Sequence, residues 1–539
     1  MSDTLTVKLA GQSLARGFED TGPLVGKSGQ GKQAGNLAGV HKWLGVPFGQ
    51  PKRWDIIRST PEWEGFKECN EFSSRPVAGV EPLETLWEDM DGVDDRSFIM
   101  TDEGTSLTLN VFKPASASFE GKLPVLVFHH GGGLNVGHAG VFVHDPTELI
   151  RYSESLSKPM IVVTFNYRLN IFGFLDHPDL AAETGVAGNY GFHDQIAALE
   201  WIQRYISEFG GDPDNVTCMG NSAGGFALSL ILGRNRVNST FKLFKRIILQ
   251  SGTIGTAPFR PPAYSYPFYD DLLRHFNIEA TTPSERVQAL RAVPADALFA
   301  FANEHRPPGG WGAYEETGPN AVFDQSPLEV LKRGLWDPEV EAVLLGNVED
   351  EGTMFGPVFN IDKPEVFQAM LGRFSPEQQG QIQDLYPDRS GDEYDAKTSA
   401  FCQFMGDQLF KGPITLVSNM LSTTLCEASG KKLPVYKYLF KGKMANDSAN
   451  TLGSLHTVEL PFIFQTLTLW KTGSEQEKTA KVIGRHWIDF VHGERKGWPT
   501  VQDEKQLVFR ESGGVTQESI VGDGDAVSRI KFWTKALDI

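Results

Sequence analysis

The sequence predicts an α/β fold in which a mostly parallel central sheet is covered by helices on both faces. Short apolar runs, the size of strands, alternate with longer stretches of helical periodicity through the middle of the chain, which is typical of βαβ units. These runs are almost continuously apolar, as expected for strands buried on both faces. With 539 residues, 40% of them hydrophobic and 22% charged, the chain can build a large core.

The predicted strands come before and after one well-marked helical segment. In chain order the strands are 124–129, 160–165, 216–220, 246–250 and 342–346. The segment 193–210 has isoleucine and leucine at helical spacing and ends in Gly210, so it predicts an amphipathic helix lying over the sheet.

We expect one domain over residues 1–539, because no linker is polar or long enough to divide the chain. The regular alternation weakens after residue 253. We expect insertions at about 254–335 and 356–430 that add helices around a pocket. The aromatic and proline-rich stretch 257–271 is compatible both with pocket lining and with core packing.

Charge and terminal patterns limit the partners and the compartment. The net charge of −18 at pH 7 disfavours nucleic acid and anionic membranes, because both attract basic surfaces. The amino terminus lacks the pattern of a secretory signal, and no apolar run approaches the length of a membrane span. The four cysteines form no Cys-x-x-Cys pair. We therefore expect a cytoplasmic protein with four free thiols, and the sequence leaves its oligomeric state open.

Two patterns that could indicate a phosphate or metal site lack the required chemistry. The segment 26–33, GKSGQGKQ, is similar to a phosphate-binding loop, but Gln33 stands where a serine or threonine must bind magnesium. Four histidines in the segment 129–144 lack the i, i+4 spacing of a helical metal pair. We therefore expect no metal and no cofactor.

The pentapeptide Gly220-Asn221-Ser222-Ala223-Gly224 matches the pattern G-x-S-x-G. It follows a predicted strand and precedes an apolar segment, as in a sharp strand-to-helix turn that exposes the serine oxygen. The pattern also occurs in plain glycine turns. Its meaning therefore depends on the partners of a serine nucleophile, namely a base, an orienting carboxylate and donors for an oxyanion.

Donors for an oxyanion are indicated directly after the strand 124–129. That strand runs into His130-Gly131-Gly132-Gly133, an HGGG element whose backbone N–H groups can approach a substrate oxygen closely. The amide of Ala223, next to the serine, would complete the hole. This context favours catalysis over a plain glycine turn.

The acid is expected downstream of Ser222, in a loop after a strand, if the chain follows the order nucleophile, acid, histidine. The segment AVLLGNVEDEGTMF ends in three adjacent carboxylates, Glu349, Asp350 and Glu351. The neighbouring Gly352 mildly favours Glu351, but the residues alone leave all three open.

The base is expected further downstream, and His456 lies in a loop introduced by Gly453 and Ser454. Seven of the twelve histidines precede Ser222 and break the order. The histidines that compete with His456 are His275, His305, His486 and His492.

Taken together, these segments resemble the type-B carboxylesterases, the family that includes cholinesterases, bile-salt lipases and fungal esterases and lipases. The resemblance covers most of the chain and follows the family order. The densest segments are 45–51, 107–114, 131–134, 166–175, 188–225, 247–252, 350–355 and 455–464. The resemblance implies an α/β-hydrolase fold and cleavage of small-molecule carboxylic esters through an acyl-enzyme, without a cofactor.

The resemblance also implies a role for each candidate residue. It makes Ser222 the nucleophile, Glu351 the acid and His456 the base. The residues that it places around them are the oxyanion donors Gly132, Gly133 and Ala223 and the neighbours Asn221 and Ser251.

Three departures from the family pattern bear on specificity and compartment. Asn221 stands where the family usually has glutamate, Ser106 stands where many relatives have a disulfide cysteine, and the usual Pro-x-Gly-x-x-Arg continuation after residue 51 is missing. Without a carboxylate beside the serine, we expect neutral esters with a hydrophobic acyl or alcohol part. The same triad would also allow acyl transfer, lactone opening or amide cleavage, and a non-catalytic binding protein is a further alternative.

Overall fold

An eleven-stranded mixed sheet forms the centre of the structure, a computed structural model of the chain. The described residues are 5–22, 37–79, 101–234, 242–307, 309–317, 320–387, 395–444, 452–466, 471–520 and 525–537. The segment 26–33 discussed above lies outside them. The strands are β1 Thr6–Lys8, β2 Ser13–Arg16, β3 Phe18–Asp20, β4 Val40–Pro47, β5 Gly65–Glu68, β6 Thr108–Pro114, β7 Leu123–His129, β8 Ile161–Phe165, β9 Gly211–Asn221, β10 Arg246–Gln250, β11 Phe259–Arg260, β12 Ala313–Tyr314, β13 Ala342–Val348, β14 Val435–Phe440, β15 Lys505–Phe509 and β16 Val515–Ser519.

The central sheet has a parallel middle and antiparallel edges. Its order is β16-β15-β14-β13-β10-β9-β7-β8-β6-β4-β3. The strands from β15 to β8 pair in parallel. Antiparallel strands extend the sheet at both ends, β16 at one and β6, β4 and β3 at the other. The prediction of a mostly parallel sheet is confirmed, whereas the antiparallel edges were not predicted.

Helices connect the strands and cover the sheet. They are Thr147–Ser155, Asn170–Phe174, Pro178–Thr184, Tyr190–Tyr205, Ala223–Leu232, Tyr266–His275, Pro283–Ala292, Ala295–Glu304, Pro327–Arg333, Pro364–Leu371, Pro376–Leu385, Ala400–Gly406, Gly412–Thr423, Glu459–Ile463, Glu475–Val491 and Asp525–Leu537. A π-helical turn, Asp407–Lys411, joins Ala400–Gly406 to Gly412–Thr423.

Both faces of the sheet are buried, as the apolar strand pattern predicts. On β10, Ile247 and Leu249 belong to one hydrophobic cluster, together with residues of the helices Tyr190–Tyr205 and Ala223–Leu232. Ile248, which points to the opposite face, belongs to a second cluster with residues of the helix Glu475–Val491. Successive side chains of a strand alternate between faces, so helices lie on both sides of the sheet.

The five predicted strands are all present, but two boundaries differ clearly. β9 begins at Gly211, where it pairs with β7 before a bulge, although the polar residues 212–215 gave no strand signal. The predicted helix begins at Tyr190 rather than at residue 193. Asn189 precedes it with a left-handed φ of 59°, and the Asn189 side chain bonds the backbone of Tyr314.

All four cysteines, Cys69, Cys218, Cys402 and Cys426, are buried and free, as expected. None of the helices in the described ranges combines the length and the apolar character needed to cross a membrane.

Candidate active site

The carboxyl ends of adjacent strands bring the predicted site residues to one edge of the sheet. β7 leads into the glycine loop, β9 into Ser222, β10 into Ser251 and β13 into Glu351. A β-bridge between Asp350 and Leu455 holds the segment that carries His456 next to the end of β13. Ligands of α/β proteins bind at this edge.

Ser222 occupies the sharp strand-to-helix turn that the sequence predicts. Its φ of 55° and ψ of −121° are strained for a residue with a side chain, and it directly precedes the helix Ala223–Leu232. The Ser222 amide donates to the Gln250 carbonyl at 2.8 Å. Gly224 is needed for the turn, because a Cβ there would lie 2.2 Å from the His129 carbonyl oxygen.

Glu351 is fully buried and orients His456. Its Oε2 lies 2.6 Å from His456 Nδ1. Its Oε1 accepts hydrogen bonds from Ser251 Oγ at 2.6 Å, from the Val348 amide at 3.0 Å and from Asn347 Nδ2 at 3.1 Å. The carboxylate is therefore held at both oxygens.

This arrangement fixes the charge of the acid and the tautomer of the histidine. Burial alone would raise the pKa of Glu351, but the hydrogen bond and charge of His456, together with the Ser251 hydroxyl, hold that pKa below its usual value. An ionised carboxylate only accepts, so His456 donates from Nδ1 and has its lone pair on Nε2. Among the described residues Nε2 has no hydrogen-bond partner, and His456 lines the same cavity as Ser222.

The two carboxylates next to Glu351 in the sequence bind other partners than His456. Glu349 forms an ion pair with Lys441, and Asp350 accepts from the Ser454 amide at 2.8 Å.

The competing histidines also have other surroundings. His275 and His305 pack against Phe301, while the rings of His486 and His492 bond the carbonyls of Val482 and Lys158.

The glycine loop turns back beside Ser222. Gly132 has a φ of 100°, and a Cβ there would lie 2.1 Å from the Val136 carbonyl oxygen, so only glycine fits. A Cβ on Gly133 would meet nothing within 4 Å, which leaves that side of the loop open to the cavity. The Ala223 amide is the first of its helix, and such amides have no intrahelical partner.

A cavity of about 610 Å³ contains these groups. Besides the glycine loop, Ser222 and His456, its lining includes Thr256, Ala257, Phe299, Asn303 and Arg306 from the first predicted insertion and Phe359, Leu409 and Phe410 from the second. Of the aromatic stretch 257–271, only Ala257 lines the cavity. Phe268 and Tyr269 of that stretch are buried in the core, so packing is the better interpretation of it.

Asn221 is buried beside Ser222 and lines the cavity. Its Nδ2 has no hydrogen-bond partner within the described ranges. The site therefore has an amide donor where the family usually has a carboxylate.

The four histidines of the segment 129–144 are buried and uncharged near neutral pH. Burial lowers the pKa of His129 to about 3, of His130 to about 4 and of His144 to about 3, and lowers that of His138 well below its usual value. In the part of the chain that the structure describes, no three His, Cys, Asp or Glu side chains are grouped as a metal would require.

Sequence reasoning missed three residues around Glu351 and His456. Asn347 donates to Glu351, Phe410 stacks on His456 with 4.1 Å between ring centroids, and Glu459 lies fully buried three residues after His456, at the start of the next helix. Burial, with the nearby Glu351 charge, raises the pKa of Glu459 to about 8. Of these three residues, only Glu459 could have been found from the sequence, through its spacing from His456. The contact of Phe410 with His456 is long-range, and that of Asn347 with Glu351 depends on loop geometry.

Comparisons with known proteins agree with this architecture. A solved structure of a thermophilic PNB esterase superposes with a TM-score of 0.76 at 22% identity, covering 97% of this chain and 99% of that one. This likeness confirms the predicted α/β-hydrolase fold.

Curated relatives span nearly the whole length at low identity. Fumonisin B1 esterase of Sphingopyxis macrogoltabida is 27% identical over 534 residues, or 94% of this chain and 89% of the relative. Acylcarnitine hydrolase of Mus musculus is 27% identical, with shares of 93% and 87%. Para-nitrobenzyl esterase of Bacillus subtilis (strain 168) is 26% identical, with shares of 89% and 93%.

The family model described as "Carboxylesterase family" matches residues 18–521. Because that match covers nearly the whole chain, the protein belongs to the carboxylesterase family and is a carboxylic ester hydrolase.

Proposed function

We propose that the enzyme cleaves esters through an acyl-enzyme, with Ser222 as nucleophile, His456 as general base and Glu351 as the residue that orients the base. The observation that carries this proposal is the buried 2.6 Å contact between Glu351 Oε2 and His456 Nδ1, which directs the Nε2 lone pair away from the carboxylate. Ser222 lines the same cavity at a strained turn, where a nucleophile must be exposed.

In the first half of the reaction, His456 Nε2 takes the proton of Ser222 Oγ as that oxygen attacks the ester carbonyl. The amides of Gly132, Gly133 and Ala223 donate to the oxyanion that forms. The alcohol leaves with the proton from His456. Water then attacks the acyl group in the same way and releases the acid.

Ser251 positions the acid in this scheme, because its hydroxyl donates to Glu351 Oε1 at 2.6 Å. With Asn347 and the Val348 amide it occupies one carboxylate oxygen. The other oxygen is thereby kept for His456.

We further propose a preference for neutral esters with a hydrophobic acyl or alcohol part. Asn221 leaves the nucleophile without a neighbouring carboxylate, so a cationic substrate gains no Coulomb attraction from this position. The phenylalanines Phe299, Phe355, Phe359 and Phe410 in the cavity lining supply apolar surface for such a substrate.

Residues 1–539 are proposed to act as one domain, with the insertions at about 254–335 and 356–430 shaping the pocket. Both segments contribute to the cavity lining, through residues such as Phe299 and Phe410. A cytoplasmic location is proposed on the four free, buried cysteines, which suit a reducing compartment.

The central assignment is tested by Ser222→Ala. Turnover of a neutral aryl ester should fall at least about a thousandfold, because the oxyanion hole and binding alone supply only residual catalysis. The parent should be labelled once by an organophosphonate, at Ser222. A label on another residue, or parent-like turnover by a folded variant, would show the assignment to be wrong.

A further inference from the structure

The ring of Phe410 lies nearly parallel to the imidazole of His456. The ring centroids are 4.1 Å apart and the planes are inclined by 29°. Both residues are buried, Phe410 to 3% exposure and His456 to 2%, and both line the cavity. One face of the imidazole is thus covered by an aromatic face, while its Nδ1 edge is held by Glu351.

We propose that Phe410 is a positioning residue for His456, which holds the ring in its reactive orientation and stabilises the imidazolium formed during each half-reaction. This inference rests on the proposed function, because it requires His456 to be the base. An aromatic face carries negative charge density and attracts a cation placed over it. The stack therefore favours the protonated histidine over the neutral one.

Phe410 is held in place by an unusual local structure. It lies in the π-helical turn Asp407–Lys411, and such single turns are frequent at functional sites because the extra residue redirects a side chain. Asp407 anchors the start of the turn through Arg529 Nε at 2.7 Å and the Tyr386 hydroxyl at 3.0 Å. These two hydrogen bonds fix the start of the turn, and Phe410, near its end, lines the cavity.

Three segments that contribute residues next to His456 also carry charged side chains. Glu351 follows β13, Glu459 begins the helix after His456, and the Asp407–Lys411 pair, 3.7 Å apart, belongs to the π-helical turn. A change of Phe410 to another apolar residue leaves all of these charges in place. A resulting movement of the acid limb of the pH profile can then be assigned to the lost aromatic face.

The cavity offers a matched control for the loss of one ring. Phe355 lies 6.4 Å from Phe410 between centroids, and Phe359 lies 5.7 Å from Phe355. The rings of Phe410 and Phe355 therefore separate Phe359 from His456. Phe359 also lines the cavity, at 37% exposure. Its loss removes apolar surface without touching the imidazole.

The experiment compares Phe410→Leu, Phe410→Tyr and Phe359→Leu with the parent, using the pH dependence of kcat and kcat/KM for a neutral ester. For Phe410→Leu, the acid limb of the pH profile of kcat/KM should move to lower pH by about 0.5 units, the size expected from loss of one cation–π contact. Its kcat should fall roughly tenfold, because the histidine is less well oriented. Phe410→Tyr keeps a ring and should restore both, whereas Phe359→Leu should raise KM and leave the limb unmoved.

Thermal midpoints establish that each variant is folded. If Phe410→Leu does not fold, Phe410→Tyr provides the readout, because the acid limb of its pH profile must match that of the parent. An unmoved acid limb in folded Phe410→Leu, or an equal movement in Phe359→Leu, would overturn this inference alone while Ser222→Ala remains inactive. Full turnover by Ser222→Ala would overturn both this inference and the proposed function.

Discussion

Asn221 sets the charge beside the proposed nucleophile. It occupies the last position of β9 and is 1% exposed, so a carboxylate there would act through a poorly screened environment. An asparagine keeps a similar size and polarity without that charge. The selectivity of the site for charged substrates should therefore depend strongly on this one side chain.

We predict that Asn221→Glu shifts the ratio of kcat/KM for a choline ester to that for its uncharged carbon isostere toward the cation, by roughly tenfold. Asn221→Gln is the matched control, since it has the length of glutamate without the charge and should leave the ratio unchanged. Both ratios follow from steady-state kinetics with the two esters. The expectation fails if the parent already favours the cation or if the ratio moves equally in both variants.

The choice among Glu349, Asp350 and Glu351 shows how far the residues alone could predict the site. The three carboxylates are adjacent and have nearly the same local sequence around them, so propensity and spacing could not distinguish the acid among them. Their partners do so, because Lys441, the Ser454 amide and His456 all come from about a hundred residues further along the chain. Motif order limited the candidates to this segment, and the family resemblance was needed to select Glu351 as the proposed acid.

The helix Asp525–Leu537 supports the π-helical turn from the far end of the sequence. Arg529 forms an ion pair with Asp407, with side-chain exposures of 16% and 3%. Trp533 Nε1 donates to the Tyr386 hydroxyl at 2.8 Å, and that hydroxyl donates to Asp407. A buried carboxylate at the start of the turn thus depends on donors from outside its own helix.

We predict that Arg529→Gln lowers the free energy of unfolding by about 1–3 kcal/mol, because the buried Asp407 loses its closest charged partner. Lys531→Gln removes a charge from an exposed position of the same helix and should change stability by less than about 0.5 kcal/mol. Urea unfolding of both variants measures the difference. Equal stability of Arg529→Gln and the parent would mean that this ion pair contributes nothing measurable.

Elements with strong local patterns could be predicted, and those set by tertiary contacts could not. The apolar run of β10 and the helix Tyr190–Tyr205 follow from periodicity. The π-helical turn Asp407–Lys411 does not follow from periodicity, and its first residue, Asp407, is bound by Arg529 from the distant helix Asp525–Leu537. The beginning of β9 was missed for a similar reason, since pairing with β7 overrides its polar sequence.

The segment 254–335 is joined to the sheet and its helices by buried polar contacts. His193 Nε2 lies 3.0 Å from Glu316 Oε1, and Asn189 exchanges hydrogen bonds with the backbone of Tyr314. Ser265 Oγ donates to the Asp176 carbonyl at 2.6 Å and lies 3.3 Å from Asp176 Oδ2. Such contacts connect the cavity wall to the rest of the molecule.

Asp176 has an unusual place in this contact region, because it is 3% exposed and its carboxylate accepts a hydrogen bond from the uncharged Ser265 hydroxyl. Burial raises its pKa from 3.8 to about 7, with the Ser265 hydrogen bond opposing and the Glu316 charge adding to the rise. Between these two pH values the folded state keeps a proton that the unfolded chain has released. The free energy of unfolding therefore falls as pH rises through this window and does not recover above it.

We predict that Asp176→Asn, which cannot ionise, becomes more stable relative to the parent as pH rises from 4 to 8, by on the order of 4 kcal/mol. Asp179→Asn is the control of opposite sign. Although burial opposes ionisation there, the Arg286 hydrogen bond holds the pKa of Asp179 below its usual value, so its loss should destabilise the protein at pH 8. Urea unfolding at pH 4, 6 and 8 measures both differences. A constant gap between Asp176→Asn and the parent at all three pH values would mean that Asp176 titrates normally in the folded protein.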